Sequence, residues 1–231
     1  MSNKVQKKQV EDPEEVIEAA IDSTQGFIQK NLKQLSIGVG GVTIVVCAIF
    51  AYIYLVSMPR EVKASSEMYV AQQMFAIDSF AVALNGSASN KGFLDIADEY
   101  SSTKVGNIAN HYAGVCYMQM GEYENAIAYL AKYNTVKGLA SEVINAQNIG
   151  LRGDANVQLG KFEEALSAFV KAATISDNTF TTPMYYKKAG VVAEKLGKKE
   201  KALEYYTIIK NQYPAAIESR DIDKYIGKVS Y

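Results

Sequence analysis

The chain has 231 residues, a net charge of −1 and a pI near 6.0. That near-neutral balance supplies no basic field for nucleic acid, so protein-binding or catalytic roles lead. The two cysteines, Cys47 and Cys116, stand too far apart to staple a fold and leave the redox compartment open.

Residues 1–12 are polar, with Lys4, Lys7 and Lys8, and read as a disordered tail. A helix start follows at Asp12-Pro13-Glu14-Glu15. Asp caps, Pro suits the first turn, and the acids complement the positive end of the helix dipole. Ile17, Ile21, Ile28, Leu32 and Leu35 then recur at helical intervals and form an apolar stripe. Such a stripe either lies on a lipid surface or docks on a membrane partner; the first needs no partner to cover it.

From Leu35 to Met58 no charged residue, Asn, Gln, His or Pro interrupts the chain. A helix rises ~1.5 Å per residue, so about 20 apolar residues cross a bilayer core. The run predicts a transmembrane helix over 35–58, with Tyr52 and Tyr54 toward the interface at its second end. It is too long for a signal peptide, 34 residues precede it, and Ser57-Met58-Pro59 is a poor cleavage context. Cys47 follows Val45 and Val46 rather than the small residues of a lipoprotein site. Ser36, Gly38, Gly40 and Gly41 make a small face on which another membrane helix can pack. Lys30 and Lys33 on one flank balance Arg60 and Lys63 on the other; the tail lysines tip the amino terminus toward the cytoplasm.

Residues 59–231 hold an internal repeat. Gly114, Gly153 and Gly190 are spaced by 39 and 37 residues. Gly121, Gly160 and Gly197 share both spacings, as do Ala126, Ala165 and Ala202, and Leu130, Phe169 and Tyr206. Four anchors with one pair of spacings define a repeated unit of helix, glycine turn and helix. The expectation is that Gly114, Gly153 and Gly190 face the alanines, letting two helices cross closely, while the larger residue four positions on plugs into the next pair. The turn glycines end each first helix in a left-handed conformation. Each hairpin then leaves an apolar face that only a neighbour covers, which builds a solenoid.

These units resemble tetratricopeptide repeats, whose usual period is about 34 residues, with longer inter-repeat loops expected near Lys137–Glu142 and Ser176–Thr182. Pro214 suits the family's end-of-repeat position. The expected architecture is all-α, a single transmembrane helix followed by a tetratricopeptide-repeat α-solenoid. Its parts are a tail and amphipathic helix over 1–34, the span over 35–58, and the repeat domain over 59–231. Within the last lie a degenerate helical pair over 61–100, repeats near 107–138, 146–176 and 183–214, and a capping helix over 216–231. The first helix of the degenerate pair reads as Glu61–Leu84.

A wider resemblance takes in nearly the whole chain. The acidic first helix, Lys30-Asn31 and Lys33, the glycine-bearing span, and Arg60-Glu61-Val62-Lys63-Ala64-Ser65 opening the repeats resemble the ancillary translocon-associated (YfgM-like) subunit family. That resemblance implies a bacterial inner-membrane protein with a periplasmic carboxy-terminal domain. Its implied partners are Sec translocon subunits, a membrane-anchored periplasmic chaperone and emerging polypeptide clients.

No catalytic motif stands out. The lone His111 has no Cys or Ser placed to partner it, and no metal-ligand spacing or phosphate loop occurs. The acids at helix starts, such as Glu163-Glu164, answer the helix dipole. No enzyme activity, cofactor, metal, nucleic acid or small-molecule substrate is expected. Repeat register puts Ile108, His111, Val115 and Met118 on the concave side, followed by Gln147, Asp154 and Val157, then Met184, Lys187, Val191 and Glu194. A groove with this wall suits an apolar peptide segment, and methionine adapts to varied apolar partners. The alternative is that the terminal helix covers it. Two functions follow, a translocon accessory that handles emerging chains, or a structural adaptor in another envelope assembly.

Overall fold

The computed structural model describes residues 13–230, so the tail over 1–12 lies outside it. The described residues contain helices and no strand. The chain divides into two units, Met1–Met58 and Pro59–Tyr231.

The first unit holds one helix, α1 (Pro13–Tyr52), followed by a π-helical turn at Ile53–Ser57. The amphipathic segment and the apolar run are thus one uninterrupted helix, since nothing between Gln34 and Leu35 breaks the hydrogen-bond ladder. The π-turn closes with Met58 N–H on Ile53 C=O, one residue more than an α-turn takes. Apolar side chains such as Ile37, Val39, Ile44 and Leu55 are exposed. Among the described residues, one helix is long and apolar enough to cross a membrane, and this segment is its apolar part. Ser36 donates its hydroxyl back to the carbonyls of Leu32 and Lys33, as polar side chains do inside an apolar helix. A Cβ added at Gly38, Gly40 or Gly41 would meet open space.

The second unit opens with α2 (Met58–Ala76), α3 (Phe80–Asn85) and α4 (Phe93–Glu99). The single helix expected over Glu61–Leu84 is therefore two. Asp78 adopts a φ of 58°, and the turn Asp78 N–H to Phe75 C=O with Ser79 N–H to Met74 C=O ends α2. Aspartate is among the few side chains that tolerate this region, a signal easily missed in a helical run. Phe75, Phe93 and Tyr112 pack as an aromatic cluster with ring centroids 5.0–6.2 Å apart. Glu61 caps the next helix by accepting from the N–H groups of Lys104 and Val105, both at 2.9 Å.

Three hairpins follow: α5 (Lys104–Gln119) with α6 (Tyr123–Lys132), α7 (Leu139–Gln158) with α8 (Phe162–Thr174), and α9 (Thr181–Lys195) with α10 (Lys199–Gln212). Each turns at a glycine with φ of 76°, 71° or 72°. In each, the residue after the glycine donates back across the turn, Glu122 to Tyr117, Lys161 to Asn156 and Lys198 to Ala193, at 2.8–2.9 Å. This bond satisfies a carbonyl that the helix end would leave bare, and only glycine takes the required φ without strain. A 3₁₀ turn (Ile217–Asp221) and α11 (Ile222–Val229) close the array.

The packing at the helix crossings differs from the sequence expectation. An added Cβ at Gly114 would run into Leu130, at Gly153 into Phe169, and at Gly190 into Tyr206. The large residue thus seats over the glycine of its own hairpin rather than serving only the next one. It still reaches onward in two units: the Phe169 ring stacks on Tyr185 at 6.3 Å, and Tyr206 meets Tyr225 of α11 at 5.3 Å. Identical spacing of two positions reveals that they repeat, not which of them touch.

Candidate protein-binding groove

The first helices of successive hairpins, α7 and α9, stand side by side. At Gly150 a Cβ would collide with the Tyr185 ring, so the two helices approach closely there. The 3₁₀ turn after α10 comes against α9. These elements enclose a cavity of about 650 Å³. Val157, Phe169, Met184, Val191 and Val192 give it an apolar wall, to which the turn adds Ile217. Phe169 is buried, whereas Val191 and Ile217 keep 47% and 70% of their surface exposed.

Charges at the rim are largely paired. Lys188 Nζ donates to both carboxylate oxygens of Asp154 at 2.8 Å, joining α9 to α7. The same ammonium lies 5.5 Å and 5.7 Å from the ring centroids of Phe169 and Tyr185, over their negative faces. Lys187 Nζ donates to Asp221 Oδ1 at 2.6 Å, and this bond holds the Asp221 carboxyl below its ordinary range. Burial pushes the Tyr185 phenol well up, so it stays neutral and donor-capable.

Of the residues that repeat register assigned to a groove, Asp154, Val157, Met184, Lys187 and Val191 line this cavity. The first hairpin's residues do not join them. His111 is 5% exposed and is a buried junction residue rather than a groove contact. Asn148 of α7 donates its Nδ2 to His111 Nδ1 at 3.1 Å, which leaves the imidazole proton on Nε2. Desolvation lowers the His111 pKa to about 4. Ile108, Val115 and Met118 are half-buried. Ile108 packs on the core around Phe93 and Ile96.

Lys188, Phe169 and the 217–221 turn were not foreseen. Lys188 lies 34 residues after its partner Asp154, three short of the 37-residue spacing between these helices, so register did not pair them. The turn follows Pro214, beyond the periodic text, where spacing carries no information.

Comparison with known proteins agrees with the repeated hairpins. Tetratricopeptide-repeat profiles match residues 109–137 and 146–179, and another profile of the same repeat matches 186–216. Each matched stretch falls on one hairpin described above. The crystal structure of MamA protein superposes with a TM-score of 0.51 at 18% identity, over 72% of this chain and 89% of that one, a likeness of fold. No curated protein matches the chain. The chain is an all-α protein with one long apolar amino-terminal helix and three tetratricopeptide repeats, which mark it as a protein–protein interaction module.

Proposed function

We propose that the chain is a membrane-anchored accessory subunit of the Sec translocon whose repeat domain works with periplasmic chaperones on emerging polypeptides. The observation that carries the binding part of this reading is the apolar cavity between α7 and α9, in which Val191 and Ile217 stand exposed beside a floor of buried aromatic surface. Burial of such surface stabilises a complex by roughly 25 cal/mol per Å², so an emerging apolar segment gains by entering. The long apolar helix supports the anchoring part. The order of acidic helix, Lys30-Asn31, glycine-bearing span and REVKAS opening supports the translocon part. On this reading α1 crosses the inner membrane with residues 59–231 in the periplasm, and Ser36, Gly38, Gly40 and Gly41 face a partner's membrane helix.

The test is purification of the full-length chain in mild detergent, with the Val191→Glu variant alongside. Recovery of translocon subunits and a periplasmic chaperone, with loss of bound clients in the variant, is the expected result. Recovery of only envelope-assembly proteins, or of the chain alone, sinks the translocon reading. A structural adaptor is the second reading. It is favoured by the way the chain's own terminal turn closes one side of the concave face through the Lys187–Asp221 bond. It predicts that Val191→Glu changes no partner.

A further inference from the structure

We propose that Arg152 anchors a second binding site, on a different face of α7 from the one that lines the α9 cavity. The site takes the carboxylate side chain of a partner polypeptide, an aspartate or glutamate with apolar neighbours. It stands apart from the groove and does not rest on the reading given to it.

The first observation is an arginine that the fold leaves without an acceptor. Among the described residues five cationic side chains are half-buried: Lys91, Arg152, Lys187, Lys188 and Lys198. The four lysines each hold a carboxylate, at 2.5–2.8 Å. The Arg152 side chain makes no ion pair or hydrogen bond to another described residue. A guanidinium drawn partly out of water with five donors unanswered is costly, and a planar carboxylate is the acceptor that matches its fork.

The second observation comes from the repeat register. The residues just before Gly114, Gly153 and Gly190 are Ala113, Arg152 and Ala189. Both alanines are fully buried. The hairpin at this position takes a small apolar side chain in two units of three, so packing of the array does not call for a long cation. Arg152 belongs to the surface of its own unit.

The third is the cavity that Arg152 lines, of about 630 Å³ between α7 and α8. Ile149, Arg152 and Asn156 reach it from α7 at helical spacing, on a different face from Asp154 and Val157. Ile127, Ile149 and Ala168 give it apolar wall. Its acids are Glu163 and Glu164, its other cation Lys171. Glu163 already gives both oxygens to Lys198, at 2.7 Å and 2.6 Å. That leaves Arg152 and Lys171 against Glu164, one positive charge in hand. One charge answers a carboxylate; a phosphate group, at about −1.5 to −2, would exceed it. The apolar wall covers the residues beside the acid, and a module built of tetratricopeptide repeats meets such a group on a protein.

The experiment uses the full-length chain in nanodiscs of uncharged lipid. The probe is the peptide Ser-Ile-Leu-Glu-Ile-Leu-Ser, amidated and labelled at its amino terminus with uncharged nitrobenzoxadiazole, so that its one carboxylate is the glutamate. Versions with Gln or phosphoserine at the centre are titrated beside it. The Glu peptide is expected to bind about tenfold more tightly than either. Arg152→Gln should bring it down to the Gln peptide, and Arg152→Lys should fall between, since the charge stays and the fork is lost. Glu164→Gln should strengthen the phosphoserine peptide most, by freeing a second charge. Lys161→Gln, which removes a charge from the same hairpin outside the cavity, should change nothing. Thermal melts within a few degrees of the parent's show that the variants are folded; should Arg152→Gln fail this, Lys171→Gln takes its place with a smaller loss expected. Equal affinity for the Glu and Gln peptides, no binding of the Glu peptide, or an equal loss in Lys161→Gln overturns the site. Tighter binding of the phosphoserine peptide to the parent overturns the choice of carboxylate.

Discussion

At the scale of single residues, the repeat's glycines do two different jobs. Gly153 makes room for the Phe169 ring, and a methyl there would sit 2.6 Å from Cε1. Gly153→Ala gains up to about 1 kcal/mol of helix propensity but overpacks the crossing by about 1–3 kcal/mol, so a lower melting temperature is expected. The same change at Gly227, on α11 with nothing near, should raise it slightly. Opposite signs from one substitution, read by thermal melts, separate crossing glycines from solvent-facing ones.

His111 makes a second residue-scale prediction. Its folded pKa of about 4 lies below the ordinary 6.5, so between those values the unfolded chain binds more protons than the folded one. Stability from this group is therefore full above pH 6.5 and falls as the pH drops toward 4, by on the order of 3 kcal/mol in total. The carboxyl of Asp221, lowered by its lysine, loses its contribution only at still lower pH. Melting temperatures of the parent should slope downward through that window, and His111→Leu should remove most of the slope. A parent curve flat from pH 6.5 to 4 would disprove the assignment.

Among the elements, α11 is the most exposed to test. Ile222 is fully buried against the last repeat, so Ile222→Ala is expected to cost about 2–5 kcal/mol. Ile217→Ser, five residues earlier on open surface, should change stability by no more than about 0.5 kcal/mol. Denaturant titrations of the two variants make the comparison. Elements were also where the sequence was most and least informative. The turn glycines could be read because a left-handed φ admits little else, and that demand recurs at fixed spacing. The break at Asp78 was hidden because aspartate satisfies both a helix surface and a left-handed turn. The turn at Ile217–Asp221 was hidden because a single 3₁₀ turn has no period. That Met184, Lys187 and Val191 share one face of α9 was legible from register. His111 was misplaced because register gives a face, and the close approach of α7 buried that part of it.

On the scale of the whole molecule, the long apolar helix sets the expected cellular behaviour. Alkaline extraction of membranes should leave the full chain in the pellet, and a chain starting at Pro59 should stay in solution. Protease added to spheroplasts should digest residues 59–231 on the proposed topology; protection of that part would reverse it. The repeats themselves are joined by polar contacts that each reach one unit onward. Asn148 meets His111, Lys188 meets Asp154, Lys198 meets Glu163, and Lys187 meets Asp221, all at separations of 34–37 residues. None of these four skips a unit, so neighbours share each stitch. Under mechanical tension such a molecule behaves as a short spring with discrete yield points. Pulled from its last residue in an optical trap, it would lengthen in steps, the terminal helix first and then hairpin by hairpin, each stitch parting before the next is strained.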